Sequence, residues 1–217
     1  MKGVNRRIFG RSFFLETLWN YENMQSVGFL FCIYPALKRL YPDSQELNEA
    51  VSRHLSRVNT HPAMGPLLAG ITARLETDME PSAVISYRQL VMAALAAQGD
   101  RIFWSHLKPL AAVCGVLLTL SFFGTLIGSA VFLFLYNLPS LLIRVGGFRR
   151  GWSQGIQLLN LFKSPGVARA INGLRRALAF GLGLTAGLLV FLATSSQRAS
   201  GAGLGRPLLV TCLAALF

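Results

Sequence analysis

The sequence predicts an all-α fold: a polytopic helical membrane protein with amphipathic, interfacial and broken helices. Three observations carry that prediction. The 217 residues are 53% apolar and only 14% charged, well below the quarter of charged residues usual in soluble domains, and the mean hydropathy is +0.48. Two uncharged runs, 109–143 and 177–197, have the length to enter a bilayer. Charge is also unevenly placed: the first hundred residues hold 10 basic and 9 acidic residues, whereas the remaining 117 hold 11 basic and none acidic. Cations that flank apolar runs without acids are the positive-inside pattern of a cytoplasmic membrane protein. The 21 Gly and 15 Phe suit helices packed closely in lipid. Composition argues against an ordinary soluble enzyme and excludes a collagen-like, disordered or disulfide-rich secreted chain. The net charge of +12 does not point to nucleic acid, because no basic stripe interleaved with aromatics accompanies it.

Two parts form one functional unit, 1–108 with amphipathic and core helices and 109–217 with membrane-embedded ones. At the start, Lys2, Arg6, Arg7 and Arg11 interleave with Ile8, Phe9, Phe13 and Phe14. This suits a helix in the headgroup region with its cations toward anionic lipid; a solvated basic tail is the alternative. The basic start runs into Glu16, Asn20 and Glu22, so no signal peptide is expected. From Asp43, the residues Leu47, Ala50, Val51, Leu55 and Val58 recur at helical spacing, and Asp43 with Glu46 resembles a capping box. This helix of roughly fifteen residues is expected to end near Asn59, because Pro62 disfavours helical geometry at His61. Pro62 can open the next helix, to about Leu75.

Asn59-Thr60-His61 is thereby a predicted break between two apolar helices. Breaks at membrane depth survive where protein or a water-filled cavity satisfies the freed backbone groups, and transporters place substrate sites at such interruptions. Asn, Thr and His add uncharged donors and acceptors suited to a polyhydroxylated ligand. The residues alone leave open a substrate site or a capped interhelical turn. Asp100, the one acid near the long apolar run, is equally open: part of an ion or substrate path, or with Gly99 a helix boundary. Phe103 and Trp104 read as an interface belt or core packing.

The 35 residues from Pro109 to Ile143 would make a straight helix of about 50 Å, longer than a hydrocarbon core of roughly 30 Å. The run must turn or break, with Gly124, Gly128 and Asn137-Leu138-Pro139 as the candidate points, giving a hairpin or a re-entrant piece. Gly124 and Gly128 also form a small-xxx-small pair. Arg144 to Arg176 carries seven cations and no acid, and is expected as a cytoplasmic loop. Ala177 to Gln197 has the length of one span. The apolar tail Pro207 to Phe217 is too short to span alone and is expected to be interfacial, packed on a partner, or the stub of a shortened helix. Cys32, Cys114 and Cys212 lie in apolar stretches and read as small core residues. His54, His61 and His106 are too scattered for a metal site, and no H-E-x-x-H, Gly-rich phosphate loop or G-x-S-x-G is present, so no catalytic residue, metal or cofactor is assigned.

Beyond these physical signals, an ordered series of motifs carries a resemblance. Arg11-Ser12-Phe13-Phe14, Trp19 to Gln25, Gly28-Phe29, Pro35 to Pro42, Arg53-His54-Leu55 and Asn59-Thr60-His61-Pro62 occur in that order. They are followed by Gly99-Asp100, Phe103-Trp104, Pro109, Phe134 to Asn137 and Gly151 to Ile156. The chain thereby resembles the IID subunit of the mannose, fructose and sorbose family of the sugar phosphotransferase system, over roughly residues 10 to 195. The resemblance implies a multi-pass protein of the bacterial cytoplasmic (inner) membrane that forms a hexose permease with a IIC subunit. It also implies cytoplasmic IIA and IIB partners, which pass phosphate from phosphoenolpyruvate to the incoming sugar. IID carries no phosphoryl group, so His61 is not expected to be a phosphohistidine. Asn59, Thr60 and His61 are implied to lie by the sugar; Gly99, Asp100 and Trp104 stay, on the residues alone, candidates for a pathway or a helix boundary.

The chain departs from the family pattern at Ala93-Ala94-Leu95-Ala96-Ala97, where the family usually reads Gly-Pro-Leu-Ala-Gly. Replacing Gly and Pro by Ala removes helix breakers that cost about 1 and 3 kcal/mol in a helix interior, so continuous helix is expected there. The C-terminal stretch is also shorter than the family's. Both departures motivate a second functional reading, a diverged subunit that senses or regulates without transport.

Overall fold

A computed structural model describes residues 2–200; the apolar tail from Pro207 and Cys212 fall outside them. The chain is helical, as the composition predicts. Among the described residues nine α-helices follow in order: α1 Lys2–Arg11, α2 Ser26–Leu40, α3 Ser44–His54, α4 Gly65–Asp78, α5 Pro81–Gly99, α6 Lys108–Leu118, α7 Gly124–Gln154, α8 Leu159–Phe162 and α9 Pro165–Ser200. Two π-helical stretches, Asp100–Leu107 and Thr119–Phe123, join α5 to α6 and extend α6. Among the described residues three segments are long and apolar enough to cross a membrane: Pro81–Ser121, Gly124–Phe162 and Pro165–Ser195.

The long uncharged run breaks at Gly124, whose φ of +81° is cheap only for glycine, and the result is a hairpin of α6 and α7. Of the small-xxx-small pair, only Gly128 makes a close helix approach; around Gly124 there is open space among the described residues. Gly128 meets Gly115 across the hairpin, where an added Cβ would fall 2.4 Å from the Gly115 carbonyl oxygen. Asn137-Leu138-Pro139 lies inside the continuous α7 and is not a break. Residues 93–97 lie within uninterrupted α5, as the alanines predict.

Residues 144–176 form no loop. Arg144 to Gln154 complete α7, Pro165 opens α9, and the chain reverses over 155–164, with Gly155 at φ +55°. The charge pattern correctly marks an end of the spans, but a charged segment can remain helical when one face packs. Here that face is α4, which is buried nearly all round. An added Cβ at Gly70 would lie 2.2 Å from the Phe148 carbonyl oxygen, and one at Gly151 would lie 2.4 Å from that of Leu67. The two backbones touch directly, which fixes α4 against the spanning helix α7.

The amphipathic start is a helix packed on the core and not a solvated tail. Val4 and Ile8 are buried, Arg6 and Arg7 remain exposed, and Arg11 donates to the Phe31 carbonyl at 3.0 Å. Cys32 is buried and Cys114 half-buried, both as free thiols.

The Asp43 cap forms, its carboxylate accepting from the Gln45 and Glu46 amides at 2.7 and 3.1 Å. However, α3 ends at His54, several residues before Asn59. Its terminal carbonyls are drawn off by Arg88 of α5, a fully buried guanidinium that donates to the Ser56 hydroxyl at 2.6 Å and to the carbonyls of His54, Ser56 and Arg57. Arg88 also donates to His54 Nδ1 at 3.1 Å, which leaves His54 Nε2 to donate to Glu76 at 2.6 Å. Arg53 and Tyr41 complete the set around that carboxylate. Burial pushes Glu76 up, but hydrogen bonds from His54, Arg53 and Tyr41 outweigh it and hold the carboxyl at about 2. This cluster pins α2, α3, α4 and α5 together and shapes the path that follows α3.

Candidate functional site

After Leu55 the chain runs extended. Val58 donates to the Asn23 carbonyl at 3.2 Å and accepts from the Gln25 amide at 2.8 Å. His61 is also extended (φ −62°, ψ 133°), as the following proline requires, and Pro62–Met64 then winds as a 3-10 turn into α4. The chain is therefore non-helical at Asn59-Thr60-His61, as the sequence predicts, although the helix before it is largely polar and not apolar, and this stretch borders a cavity of about 540 Å³.

Four parts of the chain line that cavity. The α1–α2 connection gives Glu16, Trp19 and Gln25, and the break gives Asn59, Thr60 and His61. The α5–α6 helix adds Ala96, Asp100 and Trp104, and α7 adds Tyr136, Asn137, Ser140 and Arg144. Of the six residues marked in the sequence, five thus share one cavity. The sixth, Gly99, stands directly behind it: an added Cβ would lie 2.3 Å from the His61 Cβ. At Gly99-Asp100 α5 gives way to the π-helical stretch, so the pair marks a change of helix type and not an end of the helix.

His61 stacks on Phe103 with ring centres 4.5 Å apart and meets Trp104 edge to face at 5.7 Å. Its Nδ1 accepts from the Ala63 amide at 3.2 Å, so in the neutral ring the proton sits on Nε2. That Nε2 and the Thr60 hydroxyl are buried with no protein partner. Burial pushes His61 down, Asp100 pulls it up and Arg144 lowers it, leaving it at about 4. The imidazole is therefore uncharged near neutral pH. Phe103 is buried packing, while Trp104 is exposed to the cavity and carries the Lys108 ammonium 4.4 Å from its ring centre.

Glu16, Gln25, Tyr136, Asn137 and Arg144 are absent from the sequence-derived set. Gln25, Tyr136 and Asn137 lie within the ordered motifs, and that is the signal the sequence offers for them. Arg144 reads in sequence as a loop cation; in the fold it is buried and donates to the Ser12 carbonyl at 2.6 Å. A separate recess of about 340 Å³ between α6 and α7 is lined by Gly115, Thr119, Gly128 and Phe132 among others and carries no charged residue. The polar cavity is the better candidate because convergent polar groups, not volume, orient a ligand. Its hydroxyl, amide and carboxylate groups beside two indoles suit a polyhydroxylated solute. Among the described residues no three His, Cys, Asp or Glu side chains gather where a metal would bind.

These features define a class: a helical membrane protein with a polar cavity beside a broken helix. Sequence comparison makes it specific, for residues 2–194 match the model of the phosphotransferase system mannose/fructose/sorbose family IID component, and the chain belongs to that family. It is 35% identical over 161 residues to the mannose-specific EIID component of Escherichia coli K12, covering 71% of this chain and 56% of that protein. It is 34% identical over 158 residues to the fructose permease IID component of Bacillus subtilis 168, covering 70% and 57%. A sorbose-specific EIID component of Klebsiella pneumoniae is 32% identical over 160 residues, covering 70% and 57%. The chain thus spans a little over half the length of these relatives. Two solved structures share the fold at 31% identity, each covering 87% of this chain and 70% of the other. One is described as a membrane protein (TM-score 0.73), and the other is the mannose transporter ManYZ in complex with microcin E492 (TM-score 0.66).

Proposed function

We propose that this chain is the IID membrane subunit of a hexose permease, sharing a translocation path with a IIC subunit in the bacterial cytoplasmic membrane. Cytoplasmic IIA and IIB proteins phosphorylate the sugar as it arrives, and the chain contributes binding and passage but no phosphoryl-transfer residue. The observation that carries this reading is the meeting of Asn59, Thr60 and His61 with Asp100 and Trp104 around one polar cavity, in a chain that belongs to the IID family. The neutral state of His61 agrees with a binding role. The end of the spans that carries Arg149, Arg150, Lys163 and Arg169 faces the cytoplasm by the positive-inside rule.

The test is phosphoenolpyruvate-dependent uptake of labelled mannose and fructose in cells that lack their own mannose-type permease. The cells express the cognate IIC and IIAB proteins with or without this chain. Uptake that requires the chain is the expected result. Absence of uptake from cells in which the chain forms a complex with IIC would replace the permease by a regulatory subunit.

A further inference from the structure

Thr60 is the middle residue of the break, and both its backbone groups would be unpaired without help. They are paired by one side chain. Gln25, itself 4% exposed, accepts from the Thr60 amide at 2.8 Å through Oε1 and donates to the Thr60 carbonyl at 2.8 Å through Nε2. Only one orientation of the amide satisfies both bonds, so the assignment of its oxygen and nitrogen is fixed by the backbone. The second Nε2 proton goes to Glu16 Oε1 at 2.6 Å, and Glu16 lines the same cavity. The Gln25 backbone meanwhile donates to Val58. One residue therefore runs beside the break as a neighbouring strand would and joins it to a cavity carboxylate.

We propose that Gln25 is the positioning residue of the cavity: its carboxamide holds Thr60, and with it Asn59 and His61, in register with Glu16. The inference rests on the permease reading for its link to sugar, though not for the clamp itself. Few side chains could replace it. Glu would set a carboxylate against the Thr60 carbonyl and Glu16, Met would leave both backbone groups unpaired, and Asn is one methylene short.

Amide hydrogen exchange on the complex of this chain with its IIC partner in lipid nanodiscs tests the clamp. Gln25→Met should speed exchange at Thr60 roughly tenfold, the scale of one buried hydrogen bond lost, with α3 and α4 unaltered. Gln25→Glu keeps an acceptor for the Thr60 amide but sets its carboxylate against the Thr60 carbonyl and Glu16, so the side chain should be pushed off the break and exchange at Thr60 should rise here too. Gln25→Glu combined with Glu16→Gln should recover part of the protection, because the carboxamide then at position 16 can donate to the carboxylate at position 25. Unchanged exchange at Thr60 in Gln25→Met, or no recovery in the double variant, would overturn the proposal. In the mannose and fructose uptake assay, Gln25→Met should raise KM roughly tenfold at constant maximal rate. Faster exchange with KM unchanged would show that the register of the break does not matter to the sugar, and would also overturn it. If the wild-type complex transports neither sugar but the exchange results hold, the permease reading fails and the clamp stands.

Discussion

Gly99→Ala separates two explanations of the same glycine. If Gly99 were only an unfavourable residue in a helix, alanine would stabilise the protein by about 1 kcal/mol. The structure predicts the opposite sign. An added Cβ would lie 2.3 Å from the His61 Cβ, 3.0 Å from its Cγ and 3.2 Å from the Met64 Cγ, whereas carbon atoms rest about 3.5–4.0 Å apart. The Cβ of His61 cannot swing aside, so segment 59–61 must retreat by more than about 1 Å. Overpacking of this kind costs about 1–3 kcal/mol, and loss of the bond between His61 Nδ1 and the Ala63 amide adds about 1 kcal/mol. Set against the helix gain, the net destabilisation is about 1–3 kcal/mol. Misplacement by about 1 Å of groups that must align with a ligand costs up to roughly a hundredfold in activity. Thermal unfolding of the purified complex and uptake kinetics read the two effects. A variant at least as stable as wild type, with unchanged uptake, would refute the reasoning.

Other expectations follow from the packing and the buried charges. Gly70→Ala and Gly151→Ala each aim a Cβ at α7 or α4 backbone, so each should destabilise the chain by about 2–3 kcal/mol; chemical denaturation in detergent measures this, and a neutral effect would mean the helices can separate freely. Glu76→Gln breaks a buried ion pair and should cost roughly 3 kcal/mol. The Glu76 contribution in the wild type has a defined pH window: its folded pKa of about 2 lies below the ordinary 4.5, so the stabilisation is complete above 4.5 and fades as pH falls toward 2. Denaturation midpoints across that range should flatten in the variant. For His61, with a folded value of about 4 against 6.5, the stabilising contribution is complete above 6.5 and lost as pH falls toward 4. Nitrogen NMR of labelled histidine should show His61 neutral down to about pH 6, and a midpoint near the ordinary 6.5 would contradict the burial argument.

How much of this is legible in the sequence depends on the range of the interactions. Pro62 and Asp43 act on their neighbours, so the break and the α3 cap can be placed from sequence. Charge and hydropathy likewise mark the apolar runs after Lys108 and in α9, but not that the first candidate span begins at Pro81, inside the part read as amphipathic and core helices. The end of α3 is misplaced by periodicity because Arg88, more than thirty residues away, claims its carbonyls. The basic stretch looks like a loop because its packing surface is α4: Gly70 of α4 becomes informative only when set against Phe148 of α7, and Gly151 of α7 only when set against Leu67 of α4. Sequence position alone does not choose among Gly124, Gly128 and Pro139 as the turn; positive φ at Gly124 decides it. In the cavity, the break residues carry their own signal. Gln25 carries only its place in the ordered motifs, and Glu16 and Arg144 carry none, since each acquires its role only when α1, α2 and α7 converge. Gly99 closes α5 where the π-helical stretch begins, but the fold gives it a further role that the motif does not show: it supplies room for His61.

That the cavity at the broken helix is part of the sugar path is tested most directly by Asn59→Ala. Asn59 is exposed at the cavity and its amide is held by Met92 Sδ at 3.1 Å, so removing the side chain leaves the backbone contacts in place. Initial rates of phosphoenolpyruvate-dependent uptake would be measured for wild type and variant at equal amounts of recovered IIC complex. Uptake should be abolished while the complex persists. Unchanged uptake kinetics would contradict the assignment and move the sugar path away from this cavity.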